Sequence, residues 1–288
     1  MSYIICTDSS ANLPVEIINQ YSLKVLNLSY MIDGETYSDH NMSSLKSFYE
    51  KLRTKVEAKT SCVNQYEFEE FFTKELKENH DVLYIGFSSG LSATFQAAKN
   101  AADEVNGHGY KNKVVIMDSL CAALGQGLLV HEALMKKEEG KSLEEVLEYC
   151  ENLKLKINHL FTVEDLFYLY RGGRVSKGSF FIASLAKIKP VLRVDENGKL
   201  EGIEKCLGRK RAIKELCDKI CSSIIDPENN YIYISHGDCL EDVELAKKMI
   251  LEKIKVKGFI INFLDPVIGT HAGPGCLAIF YKGTTRIK

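Results

Sequence analysis

In the first half of the chain, short runs of apolar and β-branched residues alternate with stretches whose apolar positions recur every three or four residues. The runs at 3–6, 24–32, 82–87 and 113–117 predict strands. Near-continuous apolarity in the last two predicts cover on both faces. Helix starts stand between them: Asn64 with Glu67 three positions on, and Ser142 ahead of Leu143-Glu144-Glu145, have the form of capping boxes. This alternation predicts an α/β unit with a mainly parallel, Rossmann-like sheet and helices on both faces. Asp33-Gly34 marks a local hairpin within it.

After about residue 151 the pattern changes. Strands are expected at 160–163, 189–194, 199–206, 231–235, 259–263 and 276–281, with Asn197-Gly198 as a tight hairpin turn. Helices are expected near 179–186, 209–223 and 240–254. A hairpin among helical connections predicts an α+β unit. Two domains follow, 1–152 and 153–288, with the final strand packing near the first. There is no internal repeat and no low-complexity linker.

Charge narrows the partners. Lys plus Arg number 37 against 39 Asp plus Glu, for a net charge of -2; no basic block is present to neutralise a run of phosphates, which argues against nucleic acid. The N-terminus enters a strand without an apolar leader, and no stretch approaches the ~18 apolar residues that span a bilayer, so a cytoplasmic location is expected. The nine cysteines include no C-x-x-C and read as reduced thiols. Cys217 and Cys221, four apart on an expected helix, read as core rather than as a metal site.

Candidate chemistry sits in loops rich in hydroxyls. Cys6-Thr7-Asp8-Ser9-Ser10, Ser88-Ser89-Gly90-Leu91-Ser92 and Asp118-Ser119 each follow an expected strand. In an open parallel sheet such loops converge on the crevice where ligands bind, and each opens a helix whose free N–H groups favour an anion. Helix capping explains any one of them; three on one edge point to a site. Thr60-Ser61 adds two hydroxyls between two helices, with no strand to terminate. Gly269-Thr270-His271-Ala272-Gly273-Pro274-Gly275 frames one histidine in a glycine-rich loop, where it can meet a carboxylate or move a proton. In Arg171-Gly172-Gly173-Arg174 a glycine caps a helix and Arg171 meets its carbonyl end, leaving Arg174 for a phosphate or an acidic partner. His236-Gly237-Asp238 reads equally as a strand-end site or as ordinary turn chemistry.

The same residues admit a second reading. Gly86-Phe87-Ser88-Ser89-Gly90 matches G-x-S-x-G between a strand and a helix, and Ser88, then Asp238 or Asp265, then His271 follow the order of an α/β-hydrolase triad. No H-G-G-G-like oxyanion segment precedes the motif.

Taken in order, Thr7-Asp8-Ser9-Ser10, Thr60-Ser61, Ser88-Ser89-Gly90-Leu91-Ser92, Gly172-Gly173-Arg174, Lys189-Pro190-Val191-Leu192 and His271-Ala272-Gly273-Pro274-Gly275 resemble the DegV family of bacterial fatty-acid-binding proteins. The resemblance implies a two-domain protein gripping one long-chain fatty acid between its domains, without catalysis or a cofactor of its own. Its carboxylate would be held by Thr60, Ser61, Ser88, Ser89, Gly90, Ser92 and His271, its tail in an apolar tunnel. It also implies a separate ATP-dependent fatty acid kinase as partner, which makes an acyl phosphate for phospholipid synthesis, with Arg174 touching the kinase or the phosphorylated head. The chain itself has no P-loop. Phe180, Phe181, Ile182 and Leu185 are either tunnel lining or plain core. The sequence departs from the family at Cys62-Val63-Asn64, where Gln-Pro-Ser is common after the Thr-Ser pair, and at Ala272, where Thr is common.

Overall fold

A computed structural model describes residues 3–38, 42–175 and 187–288, with the side chains of 42–44 left aside. In chain order the first part runs β1 (Tyr3–Asp8), α1 (Val15–Gln20), β2 (Lys24–Leu26), β3 (Ser29–Ile32), β4 (Glu35–Tyr37), α2 (Met42–Arg53), β5 (Ala58–Ser61) and α3 (Gln65–Lys77). It continues through β6 (Asp81–Gly86), α4 (Thr94–Gly107), β7 (Val114–Asp118), α5 (Leu124–Glu138) and α6 (Leu143–Lys154). Four of these strands form an all-parallel sheet in the order β2-β1-β6-β7. Phe68 and Phe72 of α3 pack their rings on Tyr84 of β6, while α5 lies against β1 and β6. Both expected capping boxes form: Asn64 accepts from Glu67 N–H, and Ser142 from Glu145 N–H.

The expected strand at 24–32 is two strands in two sheets. The chain breaks at Asn27-Leu28, where Ser9 Oγ accepts the Leu28 N–H at 3.1 Å. β3 then leaves the parallel sheet to pair antiparallel with β4 and β5. The Asp33-Gly34 turn does join a hairpin, with both residues at positive φ, but in this small sheet rather than in the parallel one. Thr60-Ser61 is corrected too, because it ends β5. Strands of three or four residues carry too few alternations for periodicity to register.

The second half forms a six-stranded mixed sheet in the order β10-β9-β8-β13-β11-β12. Its strands are β8 (Ile157–Thr162), β9 (Ile188–Val194), β10 (Leu200–Leu207), β11 (Tyr231–His236), β12 (Gly258–Phe263) and β13 (Leu277–Lys282). The fold class is thus as expected: a parallel sheet flanked by helices, plus a separate mixed sheet. The β9–β10 connection is longer than a two-residue turn. Val194 pairs with Leu200, and Asp195 Oδ1 accepts from Asn197 N–H at 2.9 Å and Lys199 N–H at 2.8 Å. The expected helix at 179–186, with Phe180, Phe181, Ile182 and Leu185, lies outside the described residues.

Strand alternation divides the mixed sheet into two faces. Leu160 of β8 and Leu277, Ile279 and Tyr281 of β13 join one cluster with Ile213, Leu216, Val243 and Ile250, beneath the Arg209–Ser223 and Leu240–Leu251 helices. Cys217 belongs to that core, its thiol donating to Ala246 O. Phe161, Ala278 and Phe280 face the other way, into the cluster shared with the parallel sheet. Between the sheets lies α5, buried at every position from Leu124 to Leu134. Asn12 ties the halves further, donating to Phe263 O at 2.6 Å and accepting from Ser235 Oγ at 2.8 Å. Among the described residues, no helix is long and apolar enough to cross a membrane.

Candidate functional site

A cavity of about 280 Å³ lies between the two sheets, beside the first turn of α5. Most of its wall is apolar, contributed by Leu28 after β2, Phe87 after β6, Phe161 on β8 and Phe280 on β13. Polar groups gather at one end: Thr60 and Ser61 from β5, Ser92 before α4, Arg174 after α7 (Phe167–Arg171), and His271.

His271 is not in a loop. Asp265 caps a short helix, Pro266–Ala272, by accepting from Ile268 N–H, with Pro266 at its first position; this is a helix-start signal that the downstream glycines obscured. The histidine sits in the last turn, and Gly273 at φ 78° stops the helix behind it. Its Nε2 lies 2.9 Å from Thr60 Oγ1, whereas its buried Nδ1 has no hydrogen-bonding partner among the described residues. A proton on Nδ1 would be a buried donor without an acceptor, so the tautomer with the proton on Nε2 is favoured. Nε2–H then donates to Thr60, which leaves the threonine hydroxyl proton free for a ligand. Burial, with Arg174 and Arg171 nearby, pushes the His271 pKa down to about 4. At neutral pH it is an uncharged donor beside two fixed cations.

Arg174 reaches this end of the cavity because of the turn before it. Gly173 N–H bonds to Tyr170 O, and Arg174 N–H to Leu169 O. With Gly173 at φ 73°, this is the paired C-terminal bonding that turns a chain back over its helix. The guanidinium then donates to Leu91 O from Nε at 3.2 Å and from Nη2 at 3.1 Å, and to Gly172 O. Burial lowers its pKa. Its acceptors among the described residues are neutral carbonyls, and an anion would offset that burial better than they do. Arg171 stacks on Phe167 and Tyr168, and its buried Nη2 has no hydrogen-bonding partner among the described residues.

The DegV family model matches residues 2–283. The chain belongs to the DegV family. A DegV domain-containing protein of Clostridium perfringens is 40% identical over 286 residues, which cover 99% of this chain and 98% of that one. Two similar solved structures are named for fatty acid binding. The DegV family protein of Thermus thermophilus has 28% identity and a TM-score of 0.88, covering 98% of this chain and all of its own. That of Streptococcus agalactiae has 31% identity and a TM-score of 0.87, with the same coverage.

In this DegV protein the cavity collects Thr60, Ser61, Ser92, Arg174 and His271, while the remaining hydroxyls serve the framework. Ser88 is fully buried; its Oγ donates to Gly198 O at 2.8 Å and accepts from Gly90 N–H at 3.2 Å. Ser89 is exposed, and Gly90 passes so close to the β9–β10 turn that a Cβ there would lie 2.8 Å from Asn197 O. Ser88 and Gly90 pin the loop to the β9–β10 turn, and Ser92 of the same loop lines the cavity. Ser92 Oγ also accepts from Thr94 N–H at 3.2 Å, so it starts α4 as well as lining the site. The Thr7–Ser10 segment lies behind the cavity wall. Asp8 is fully buried, accepting from Tyr84 Oη at 2.6 Å and Phe87 N–H at 2.9 Å, and Ser10 bridges it to Gln126.

The hydrolase triad is not assembled. Ser88 is engaged with Gly198, His271 with Thr60, Asp238 with Arg53, and Asp265 with Ile268 N–H. Two contributors escaped the sequence reading: Arg171, which passed as a helix-end charge and helps hold the His271 pKa down, and His159, a buried cavity-lining residue inside an apolar strand.

Proposed function

We propose that this protein binds one long-chain fatty acid in the cavity between its two halves. Thr60, Ser92 and Arg174 hold the carboxylate, His271 orients the Thr60 hydroxyl toward it, and the apolar wall holds the tail. The observation that carries the reading is the meeting of two neutral donors and a half-buried arginine at one end of an otherwise apolar cavity. The fatty-acid-binding names of similar structures support it. Each buried methylene contributes about 0.8 kcal/mol, so the tail dominates affinity; the head bonds fix orientation. Comparing a fatty acid with the alcohol of the same length tests this directly. The acid is expected to bind at least about tenfold tighter, since hydrogen bonds to a charged group are worth about 1.5–3 kcal/mol each. Equal affinity would contradict the head-group assignment.

We also propose that the chain performs no covalent step and presents the fatty acid to a separate ATP-dependent kinase for acyl-phosphate formation. Ser61, Cys62 and Ala93 line the cavity near its polar end and are exposed, so a partner can reach a carboxylate there, and Arg174 is then shared between fatty acid and phosphorylated product.

A pH dependence follows from His271. In the empty protein its pKa is depressed to about 4, so the stability it contributes is full above the unfolded histidine value of about 6.5 and is lost as pH falls toward 4. A bound carboxylate favours the imidazolium and raises that pKa. Fatty acid affinity is therefore expected to rise as pH falls from 8 toward 5, with proton uptake on binding. Calorimetry in buffers of different ionisation enthalpy measures that uptake, and replacing His271 by alanine should abolish it.

A further inference from the structure

One buried residue that lines the cavity, His159, is of a type out of keeping with its apolar surroundings. β8 and β13 run antiparallel with Ala278 opposite Phe161 and Phe280 opposite His159, and all four side chains line the cavity. The polar end adjoins the start of β13, just after His271 and the glycine turn. The Phe280–His159 pair is therefore two residues deeper than Ala278–Phe161, roughly 7 Å farther from the head group. There the His159 ring stands at 90° to Phe280 with centroids 5.3 Å apart. It is wedged against the first turn of α5, where a Cβ on Gly125 would lie 2.1 Å from its Nε2.

Its two nitrogens are held. Nε2 accepts the Ala122 N–H at 3.2 Å, and Nδ1 faces Ile157 O at the same distance, so Nδ1 carries the proton and donates. The ring is 2% exposed and fixed at both ends. Its two nitrogens engaged, it offers the tail no free donor or acceptor.

We infer that His159 is the end wall of the tail cavity and sets the longest acyl chain that this protein accepts. This rests on the fatty-acid reading above. A smaller residue at 159 opens space beside the glycine-lined first turn of α5, and each methylene admitted there tightens binding about fourfold.

The test loads delipidated protein with an equimolar series of even-numbered saturated fatty acids and reads the bound species by native mass spectrometry. His159→Ala is expected to shift the bound population to longer chains. His159→Asn, smaller than histidine yet keeping a donor and an acceptor for Ile157 and Ala122, carries the same expectation if the alanine variant fails to fold. Ala278→Leu narrows the cavity one rung nearer the head and should shift the population to shorter chains. Fatty acid bound by every protein with an unchanged length distribution overturns the role of His159 and leaves the fatty-acid reading standing. No fatty acid bound by any protein, the wild type included, overturns both.

Discussion

Replacing Gly172 by alanine is expected to weaken fatty acid binding by roughly 10- to 100-fold while leaving the fold intact. Gly172 has ordinary helical dihedrals, φ -73° and ψ -7°, so alanine costs nothing in backbone conformation. A Cβ there would nevertheless lie 2.1 Å from His271 Nδ1, far inside van der Waals contact. The imidazole must move, and its contact with Thr60 Oγ1 goes with it. Thr60 then loses the partner that aims its hydroxyl at the ligand, and losing one hydrogen bond to a charged head group costs about 1.5–3 kcal/mol, which sets that range. His271→Ala should cost about as much, and the double variant little more, because both changes remove the same interaction. Additive losses would mean that Gly172 acts by some route other than His271.

The largest effect on stability is expected at Arg286, near the end of the chain. Its side chain is 6% exposed and spans both halves of the molecule. Nη2 donates to Leu120 O at 2.7 Å and Lys154 O at 3.0 Å, Nε to Ile157 O at 3.1 Å, and Nη1 to Asp195 O. Arg286→Ala strands four carbonyls at once, that of Ile157 buried and the others half-buried, and should lower unfolding stability by about 3–5 kcal/mol, read as a fall in the urea midpoint at unchanged slope. Lysine should recover little, because an ammonium cannot reach acceptors spread around a planar fork. A change under about 1 kcal/mol would show that the tail is dispensable. Leu120 also stands at φ 50°, and Ala123, three residues on, at the same φ lines the cavity. Loss of the arginine should therefore loosen the cavity wall as well.

The layered α/β organisation was legible because buried parallel strands and amphipathic helices leave different periods in the sequence, and because Asn64 and Ser142 sit at helix starts with glutamates three residues on. The small β3-β4-β5 sheet was not, since its strands are too short to show a period. Thr60, Ser92 and His271 could be selected as chemistry-bearing residues from the hydroxyl- and glycine-rich segments that carry them. Which serine of the 88–92 segment faces the cavity could not, because Ser88 is oriented by Gly198, 110 residues away in sequence. Arg174 could be read from the sequence as a phosphate or partner contact, but its place in the cavity depends on the Gly172-Gly173 turn that folds it back. His159 was silent for a similar reason: in the run Ile157-Asn158-His159-Leu160-Phe161, only the pairing of β8 with β13 reveals which face each residue takes.

The central claim is that one fatty acid occupies the cavity between the sheets. Native mass spectrometry of the protein purified from bacteria tests it most directly. One added mass per chain, matching a long-chain fatty acid, lost on delipidation and regained on adding the acid, is the predicted result. A protein that emerges empty and takes up no added fatty acid would contradict the account.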